Sequence, residues 1–374
     1  MKEILVVGGG LAGLISAILL NRAGYNVEII EKKKYPFHKV CGEYISNEVR
    51  PFLVENDLFP TDISVSDIDA FRLSSVHGKS AEIALGLGGF GISRYSLDHH
   101  LYKIAKKEGI KISEGISVLS VNYVSSKDFF EIELSNGEIW QSKVVVGAHG
   151  KRSKVDKQLN RSFIAKRSPY LGVKYHIRYK GHAANEVALH NFPGGYCGIN
   201  RIEDGKYNLC YLSHRNNLTT HRQIEAMEKN VLMKNPWLRQ IFEEAEFLFE
   251  KPEVINEISF ETKGPVEGHI LMCGDAAGMI TPLCGNGMAM AIHSAKILFE
   301  SIVQHFDEQN IRREVLENDY AHRWNSQFAT RLSIGRNLQH LFGQRLISGL
   351  AVNLIKNVKP LARYLVAKTH GKPF

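Results

Sequence analysis

The sequence predicts an α/β protein that combines a parallel-sheet domain, an antiparallel β-sheet domain and C-terminal helices. A short apolar run, residues 4–7, and a second strand segment, residues 27–30, flank a helical pattern over residues 11–23, which is the order of a βαβ unit. Residues 170–260 instead contain alternating strand segments separated by turn signals, as in an antiparallel sheet. From about residue 312 onward the pattern is helical.

Length and composition agree with a large reduced protein. A chain of 374 residues with 44% hydrophobic residues can bury a substantial core and is long enough for two domains. Its five cysteines are scattered and form no CxxC pair, so we expect neither a metal site nor a disulfide framework. This cysteine usage predicts a cytoplasmic protein.

The positive charge is concentrated near the C-terminal end. The formal net charge is +8, yet residues 320–374 hold nine Lys and Arg residues and no acidic residue, which leaves the rest of the chain nearly neutral. No aromatic-basic RNA motif or zinc finger accompanies this tail, so we expect no nucleic-acid partner. Two interpretations stay open: the tail is a helical cover packed on the protein, or residues 350–368 make a peripheral contact with an anionic membrane surface.

A glycine-rich turn joins the first predicted strand to the first predicted helix. Gly8, Gly10 and Gly13 form the pattern GxGxxG, which permits a tight turn and a close approach of the backbone to a diphosphate. Glu31 ends the second strand, where a carboxylate can accept hydrogen bonds from ribose hydroxyls. The unit predicts a Rossmann-like dinucleotide site whose phosphates face the helix N-terminus. The predicted contacts are Gly8, Gly10, Leu11, Ala12, Gly13, Glu31 and Lys32.

A second glycine-rich segment follows a predicted strand near residue 270. It begins with Gly274-Asp275 and leads into a helix. This segment resembles the GD motif of the para-hydroxybenzoate hydroxylase-like flavoproteins, which include aromatic monooxygenases, flavin halogenases and geranylgeranyl reductases. The resemblance implies that the cofactor is FAD, that Asp275 binds its ribityl chain, and that the helix start faces the flavin ring. It implies contacts from Gly274, Asp275, Pro282, Gly285, Asn286, Gly287 and Met288.

Further segments carry the same resemblance. Residues 146–155 are similar to the family signature GADGxxSxVR, with His149 in place of its aspartate. That signature is associated with FAD and NAD(P)H contacts, so the resemblance implies NAD(P)H as the reductant and leaves NADH and NADPH as alternatives. Arg94 and Lys39 match basic residues beside the cofactor, and Val118 matches a residue whose backbone contacts adenine.

These predictions divide the chain into three parts. Residues 1–70, 91–165 and 262–310 are predicted to form the FAD-binding domain, residues 71–90 and 166–261 the substrate domain, and residues 311–374 a C-terminal helical segment. In the fold that the resemblance implies, the antiparallel sheet covers the flavin ring. Residues 170–260 are therefore expected to supply most of the pocket for a small lipophilic substrate.

Two residues, Cys41 and Tyr196, are predicted to be catalytic, and Cys41 would tune or protonate the flavin. Cys41 lies in the segment KVCGE, which is similar to a cysteine-glycine stretch near the flavin in geranylgeranyl reductases. The alternative is a small buried cysteine in a tight loop. Tyr196 lies in the central sheet, where His190 and Tyr175 are further candidates for the pocket.

The resemblance leaves three functions open. In the first, NAD(P)H reduces FAD and the protein hydroxylates a hydrophobic aromatic or polyketide-like substrate. In the second, reduced FAD saturates an isoprenoid double bond; the Cys41 segment favours it, as does Gly278, where hydroxylases often have histidine. In the third, suggested by His149, the protein binds flavin without turnover. The central sheet carries no reductase signature, which places hydroxylation slightly ahead.

Overall fold

The computed structural model of the chain describes residues 1–166, 168–256, 258–279, 286–306, 311–339, 345–357 and 371–374. Seventeen strands lie within these residues: β1 (Lys2–Val7), β2 (Val27–Glu31), β3 (Tyr44–Ser46), β4 (Ser66–Ser74), β5 (Ser80–Gly91), β6 (Lys111–Glu114), β7 (Val118–Val124), β8 (Phe129–Leu134), β9 (Ile139–Gly147), β10 (Tyr170–Arg178), β11 (Glu186–Phe192), β12 (Gly195–Arg201), β13 (Tyr207–His214), β14 (Glu246–Phe247), β15 (Glu253–Asn256), β16 (Val266–Glu267) and β17 (Ile270–Met272). The same residues form ten α-helices: α1 (Leu11–Arg22), α2 (Arg50–Glu55), α3 (Arg94–Lys107), α4 (Lys154–Gln158), α5 (Arg215–His221), α6 (Ile224–Asn230), α7 (Pro236–Glu244), α8 (Gly287–His305), α9 (Arg313–Gln339) and α10 (Arg345–Asn357).

The first sheet is built around the predicted βαβ unit. Its strands follow the order β16-β17-β9-β1-β2-β6, with β7 and β8 attached beside β9, and the strands from β17 to β6 run parallel. Val7 pairs with both Ile30 and Gly147, and Gly147 also pairs with Met272. The loops that follow β1, β2, β9 and β17 therefore meet at one edge of the sheet, which is where parallel sheets bind ligands.

Helix α1 is buried because it lies between the first sheet and other helices. Its residues from Leu11 to Leu20 are all buried, and it packs against α3 and α8. Helix α9 packs in turn against α8 and buries Tyr320, Trp324 and Phe328. An apolar helix of this kind is expected beside a parallel sheet that is covered on its faces. The predicted Rossmann-like domain is confirmed by this arrangement.

The second sheet follows the order β14-β10-β13-β12-β11-β4-β5-β3, with β15 beside β10. It is antiparallel as predicted, except that β4 and β11 run parallel. Helices α5, α6 and α7 cover one face through an apolar cluster that includes Tyr175, Tyr211 and Leu238. Helix α10 contacts the opposite side, where Val352 is buried in a second apolar cluster. The predicted α/β fold with a second sheet and C-terminal helices is therefore confirmed.

The chain crosses between the two sheets near residue 45. Strand β3 lies within residues 1–70 but pairs with β5, so it joins the second sheet. The domain boundaries given above stay a prediction. None of the described helices is long and apolar enough to span a bilayer.

Candidate cofactor and substrate site

The turn between β1 and α1 has the geometry that its glycines predict. Gly8 has a φ of 108°, and a Cβ atom on it would lie 2.5 Å from a carbonyl oxygen of the loop after β9. A Cβ atom on Gly13 would collide with the carbonyl oxygen of Gly8. Both positions therefore exclude a larger residue. Gly10 is the N-cap of α1 and provides no side-chain cap, which leaves the helix start at Leu11 and Ala12 suited to an anion.

The carboxylate of Glu31 is fixed beside this turn. Its Oε2 accepts a hydrogen bond from the Gly9 amide at 2.8 Å, and its Oε1 accepts one from the Lys33 amide at 3.0 Å. The Glu31 carbonyl accepts a hydrogen bond from the Ile116 amide at 3.3 Å, which brings the segment before Val118 next to the site. Lys32 is exposed at the surface. Direct contacts of Val118 and Lys32 with a nucleotide stay predictions.

Two cations lie over the glycine turn. A Cβ atom on Gly10 would be 3.3 Å from Lys39 Nζ and 3.5 Å from Arg94 Nη2. Both cations bind Asp98, Arg94 through two hydrogen bonds of 2.6 and 2.7 Å and Lys39 through one of 3.1 Å. Burial lowers the pKa of Arg94, but Asp98 raises it above its usual value, with smaller contributions from Cys41 and Asp275. Two cations that share one acid leave a positive charge, which suits a diphosphate.

The GD turn meets the other side of the same helix start. Gly274 has a φ of 63°, and a Cβ atom on it would lie 3.0 Å from Cβ of Ala12. Asp275 is half-buried, and its effect on the pKa of Arg94 places its carboxylate within electrostatic range of that cation. Helix α8 begins just beyond, with Asn286 as its N-cap and Gly287 and Met288 as its first residues.

The structure brings the two predicted halves of the FAD site together. The glycine turn, the Lys39 and Arg94 cations and the Asp275 carboxylate all surround the start of α1. This set of amides, cations and carboxylates fits a cofactor with a diphosphate and hydroxyl groups. The predicted contacts Pro282 and Gly285 lie outside the described residues.

Comparison with known proteins supports the same cofactor class. Residues 6–41 match the NAD(P)-binding Rossmann-like domain model. The chain is 23% identical to conditioned medium factor receptor 1 of Dictyostelium discoideum, covering 99% of this chain and 77% of that protein. It is 27% identical to digeranylgeranylglycerophospholipid reductase of Methanosarcina acetivorans, covering 86% and 80%.

A solved structure extends the likeness to the whole fold. The chain superposes on PqsL of Pseudomonas aeruginosa, described as a probable FAD-dependent monooxygenase, with a TM-score of 0.74 and 17% identity, covering 93% of this chain and 98% of the other. The superposition covers both sheets, and the motif matches lie at the two ends of the predicted cofactor site. The chain therefore has the fold of FAD-dependent oxidoreductases, as the motifs at both ends of the predicted cofactor site imply.

The KVCGE segment is held against the second sheet. Asn208 Nδ2 donates hydrogen bonds to the carbonyl oxygens of Cys41 at 3.2 Å and Gly42 at 2.8 Å, and Lys174 Nζ donates one to the Lys39 carbonyl at 3.2 Å. Cys41 is partly exposed and lies within electrostatic range of Arg94, one of the two cations beside the glycine turn. A direct role of Cys41 in catalysis stays a prediction.

The sequence interpretation did not include a buried cluster around Glu43. Its carboxylate accepts hydrogen bonds from the Arg94 amide at 2.8 Å and from Lys174 Nζ, and it lies 2.7 Å from Nε2 of His176. Burial raises the pKa of Glu43, but Lys174 and His176 lower it below its usual value overall. The signal that points to this cluster is a pair of polar residues at alternate positions of one strand, Lys174 and His176.

Strand register assigns Tyr196 to the face that looks toward the cofactor domain. Tyr196 pairs with Leu212, and both are buried in one apolar cluster with Met279, the residue after Gly278 in the GD segment. Two other pocket candidates, His190 and Tyr175, lie on the opposite face of the sheet. His190 lies 2.9 Å from Ser74 Oγ and stacks on Trp237 of α7.

Tyr175 lies on the same side as α6, because its hydroxyl donates a hydrogen bond to Glu228 at 3.0 Å. Adjacent residues of a strand point to opposite faces, so Tyr175 and its neighbour Lys174 are separated by the sheet. Tyr175 and His190 therefore belong to the packing of α6 and α7, whereas Tyr196 keeps its place as a candidate pocket residue.

Proposed function

We propose that the oxidoreductase hydroxylates a small hydrophobic aromatic or polyketide-like substrate, using FAD that NADH or NADPH reduces. The observation that carries this proposal is the apolar cluster on the cofactor side of the second sheet. Tyr196 and Leu212 from the sheet, Met279 from the GD segment and Val352 from α10 are all buried in it. Apolar residues in this position would form one wall of a pocket for a lipophilic substrate and help to exclude water from the chemistry.

The residues of the site have separate tasks under this proposal. Arg94 and Lys39 bind the diphosphate, and Asp275 orients the ribityl chain. Bound FAD supplies the oxidation of the reduced nicotinamide and the activation of dioxygen. The second sheet holds the substrate and excludes water, while the Glu43 cluster fixes the KVCGE segment between sheet and cofactor.

A specific observation favours a second reaction, the saturation of an isoprenoid double bond. Cys41 is partly exposed and lies near Arg94, where a thiol can give a proton to one carbon of the double bond while the other carbon accepts hydride. The Methanosarcina acetivorans relative is a digeranylgeranylglycerophospholipid reductase. Gly278 supports neither reaction by itself, because a Cβ atom there would lie 2.8 Å from the Trp324 ring, so packing alone requires a glycine.

Product analysis after separate reduction and oxygenation distinguishes the two reactions. The FAD-loaded protein is first mixed with NADH or NADPH without oxygen, and the loss of flavin absorbance is followed. The reduced protein then receives a long-chain phenol or a prenyl lipid, with or without isotopically labelled dioxygen. We expect labelled oxygen in the phenol product. Saturation of the prenyl lipid without oxygen would instead establish the reductase, and no reduction by either nucleotide would favour a flavin-binding protein without turnover.

We propose a peripheral membrane contact for the basic C-terminal segment. Helix α10 buries Val352 against the second sheet but leaves Leu350 67% exposed, and Lys356 is also exposed. The remaining basic residues of the segment between 358 and 370 lie outside the described residues. Flotation with anionic and neutral liposomes tests this proposal. Weaker flotation of Leu350→Ser with anionic liposomes is the expected result, and equal flotation of both proteins contradicts it.

A further inference from the structure

The loop after β9 carries the family signature with two charged positions altered. Where the signature GADGxxSxVR has aspartate and arginine, this chain has His149 and Asp156. The two residues contact each other, because His149 Nε2 lies 3.2 Å from Asp156 Oδ1.

Asp156 is the centre of a buried hydrogen-bond network. Its side chain is fully buried, and its Oδ2 accepts hydrogen bonds from the amide and hydroxyl of Ser153 at 2.7 and 2.9 Å. Its Oδ1 accepts one from Arg161 Nη1 at 2.9 Å. Burial raises the pKa of Asp156, but His149 and Arg161 lower it below its usual value overall. The carboxylate is therefore charged and fully partnered.

This network connects the two turns that surround the start of α1. On one side, a Cβ atom on Gly8 would lie 2.8 Å from Cα of His149, so His149 packs directly on the glycine turn. On the other side, the same Arg161 Nη1 that binds Asp156 donates a hydrogen bond of 2.8 Å to the carbonyl of Ala276 in the GD turn. Asp156 thus links a residue at the diphosphate end with a residue at the ribityl end.

Lys263 makes a second, parallel connection. Its Nζ donates hydrogen bonds to the carbonyl oxygens of Lys151 at 2.8 Å and Asp275 at 2.9 Å. Burial lowers the pKa of Lys263 to about 8, and Asp156 and Asp275 partly oppose that effect. The backbone of the GD turn is therefore held at two successive carbonyls by Lys263 and Arg161, and Arg161 is paired with Asp156.

We propose that Asp156 is a positioning residue for FAD, which holds the glycine turn and the GD turn at the separation that the cofactor requires. Asp156 acts through His149 and Arg161 and does not touch the cofactor. The inference rests on FAD binding, which the proposed function also requires. Loss of the carboxylate charge is expected to loosen the GD turn while the glycine turn keeps its own shape.

The affinity of the apoprotein for FAD tests this role, measured by quenching of flavin fluorescence. Asp156→Asn is expected to weaken FAD binding by about tenfold and to blur the fine structure of the bound-flavin absorption band. Ser153→Ala is the matched control, because it removes a hydrogen bond to the same carboxylate and a cap of α4 without touching His149 or Arg161. It is expected to lower the melting temperature but to change FAD affinity by less than about twofold.

A double variant makes the test specific to the connection. Asp156→Asn combined with Arg161→Gln is expected to bind FAD no more weakly than the worse single variant, because both break the same path. The proposal is overturned if Asp156→Asn binds FAD as tightly as the wild-type protein and has the same melting temperature as Ser153→Ala. If Asp156→Asn does not fold, Arg161→Lys is measured instead, with the same expected loss of FAD affinity and the same overturning result. Wild-type protein that fails to bind FAD overturns the proposed function as well as this inference.

Discussion

Nζ of Lys174 contacts Oε1 of Glu43, and neither side chain has any exposed surface. The second oxygen of Glu43 lies 2.7 Å from Nε2 of His176, and the amide of Arg94 donates to the first at 2.8 Å. The contact joins β10 of the second sheet to the segment that carries Cys41. A buried charge of this kind depends strongly on its partner, because no water replaces a lost one.

We expect Lys174→Met to lower the free energy of unfolding by about 3–5 kcal/mol, because it removes the lysine cation and leaves the buried Glu43 carboxylate with only His176 and the Arg94 amide. Urea unfolding of the apoprotein measures this change. Lys166→Met is the control, since Lys166 pairs with Glu261 at the surface and is 63% exposed. Its effect is expected to stay within about 1 kcal/mol. Equal changes in the free energy of unfolding for the two variants would contradict the expectation that the Glu43 cluster stabilises the protein.

Lys174 and His176 also show why part of the site could not be predicted from sequence. They alternate with Val173 and Tyr175, a pattern typical of a strand with one face in water. In the structure that polar face is covered by the KVCGE segment, which is distant in sequence. The local sequence shows the alternation but not which part of the chain covers each face, so it could not show that Tyr175 lies on the side of α6.

The glycine turn could be predicted because most of its constraints are local. Gly8 has a positive φ, Gly13 packs against the carbonyl oxygen of Gly8, and the acid Glu31 ends the second strand of the same βαβ unit. Asp156 illustrates the opposite case. Its partner Arg161 is near in sequence, but the proposed positioning role of Asp156 also requires Ala276. The order of strands in the sheet brings Ala276 close to Arg161.

Gly8→Ala is expected to abolish measurable FAD binding. The added Cβ atom would lie 2.5 Å from a carbonyl oxygen, and the φ of 108° is unfavourable for alanine. Gly24→Ala is the matched control, because Gly24 has a φ of 94° but no atom within 4 Å of the added carbon. It is expected to cost about 1 kcal/mol of stability and to leave FAD affinity unchanged. Flavin fluorescence titration measures FAD affinity and thermal unfolding measures stability. Both variants strain the backbone, but only Gly8→Ala brings the added Cβ atom into a clash. Loss of FAD binding by both variants would show that the clash is not the cause.

Glu228 is expected to make the protein less stable as pH rises. Burial raises its pKa from 4.5 to about 7, although Tyr211 and Tyr175 oppose that effect by donating hydrogen bonds to it. The folded protein therefore holds this proton more tightly than the unfolded chain does. The stability that Glu228 contributes is fully present below pH 4.5 and is lost as pH rises through about 7.

Glu228→Gln keeps an oxygen for both tyrosines and removes the proton equilibrium. Relative to wild type, its free energy of unfolding is expected to rise by about 2 kcal/mol between about pH 5 and about pH 8. Urea unfolding at both pH values measures the difference. Glu243→Gln on the exposed side of α7 should show no such change. A constant difference between Glu228→Gln and wild type would show that Glu228 is ionised in the same way in both states.

Tyr196 and Tyr175 give a paired test of which face of the second sheet forms the substrate pocket. Tyr196→Leu removes a ring from the apolar cluster that contains Met279 and Val352, so we expect kcat/KM for the identified substrate to fall by about tenfold or more. Tyr175→Leu removes a ring of the same size from the opposite cluster, together with its hydrogen bond to Glu228. It is expected to lower stability by about 1–3 kcal/mol and to leave kcat/KM per folded molecule within about twofold.

Kinetics and urea unfolding of the same preparations distinguish the two roles. Activity is expressed per mole of bound flavin, so that partial unfolding of either variant does not imitate a loss of catalysis. The difference between the variants depends only on strand register, since both residues are buried tyrosines of one sheet. If Tyr175→Leu changes KM and Tyr196→Leu does not, the pocket lies under α6 and α7 and the proposed substrate face is wrong.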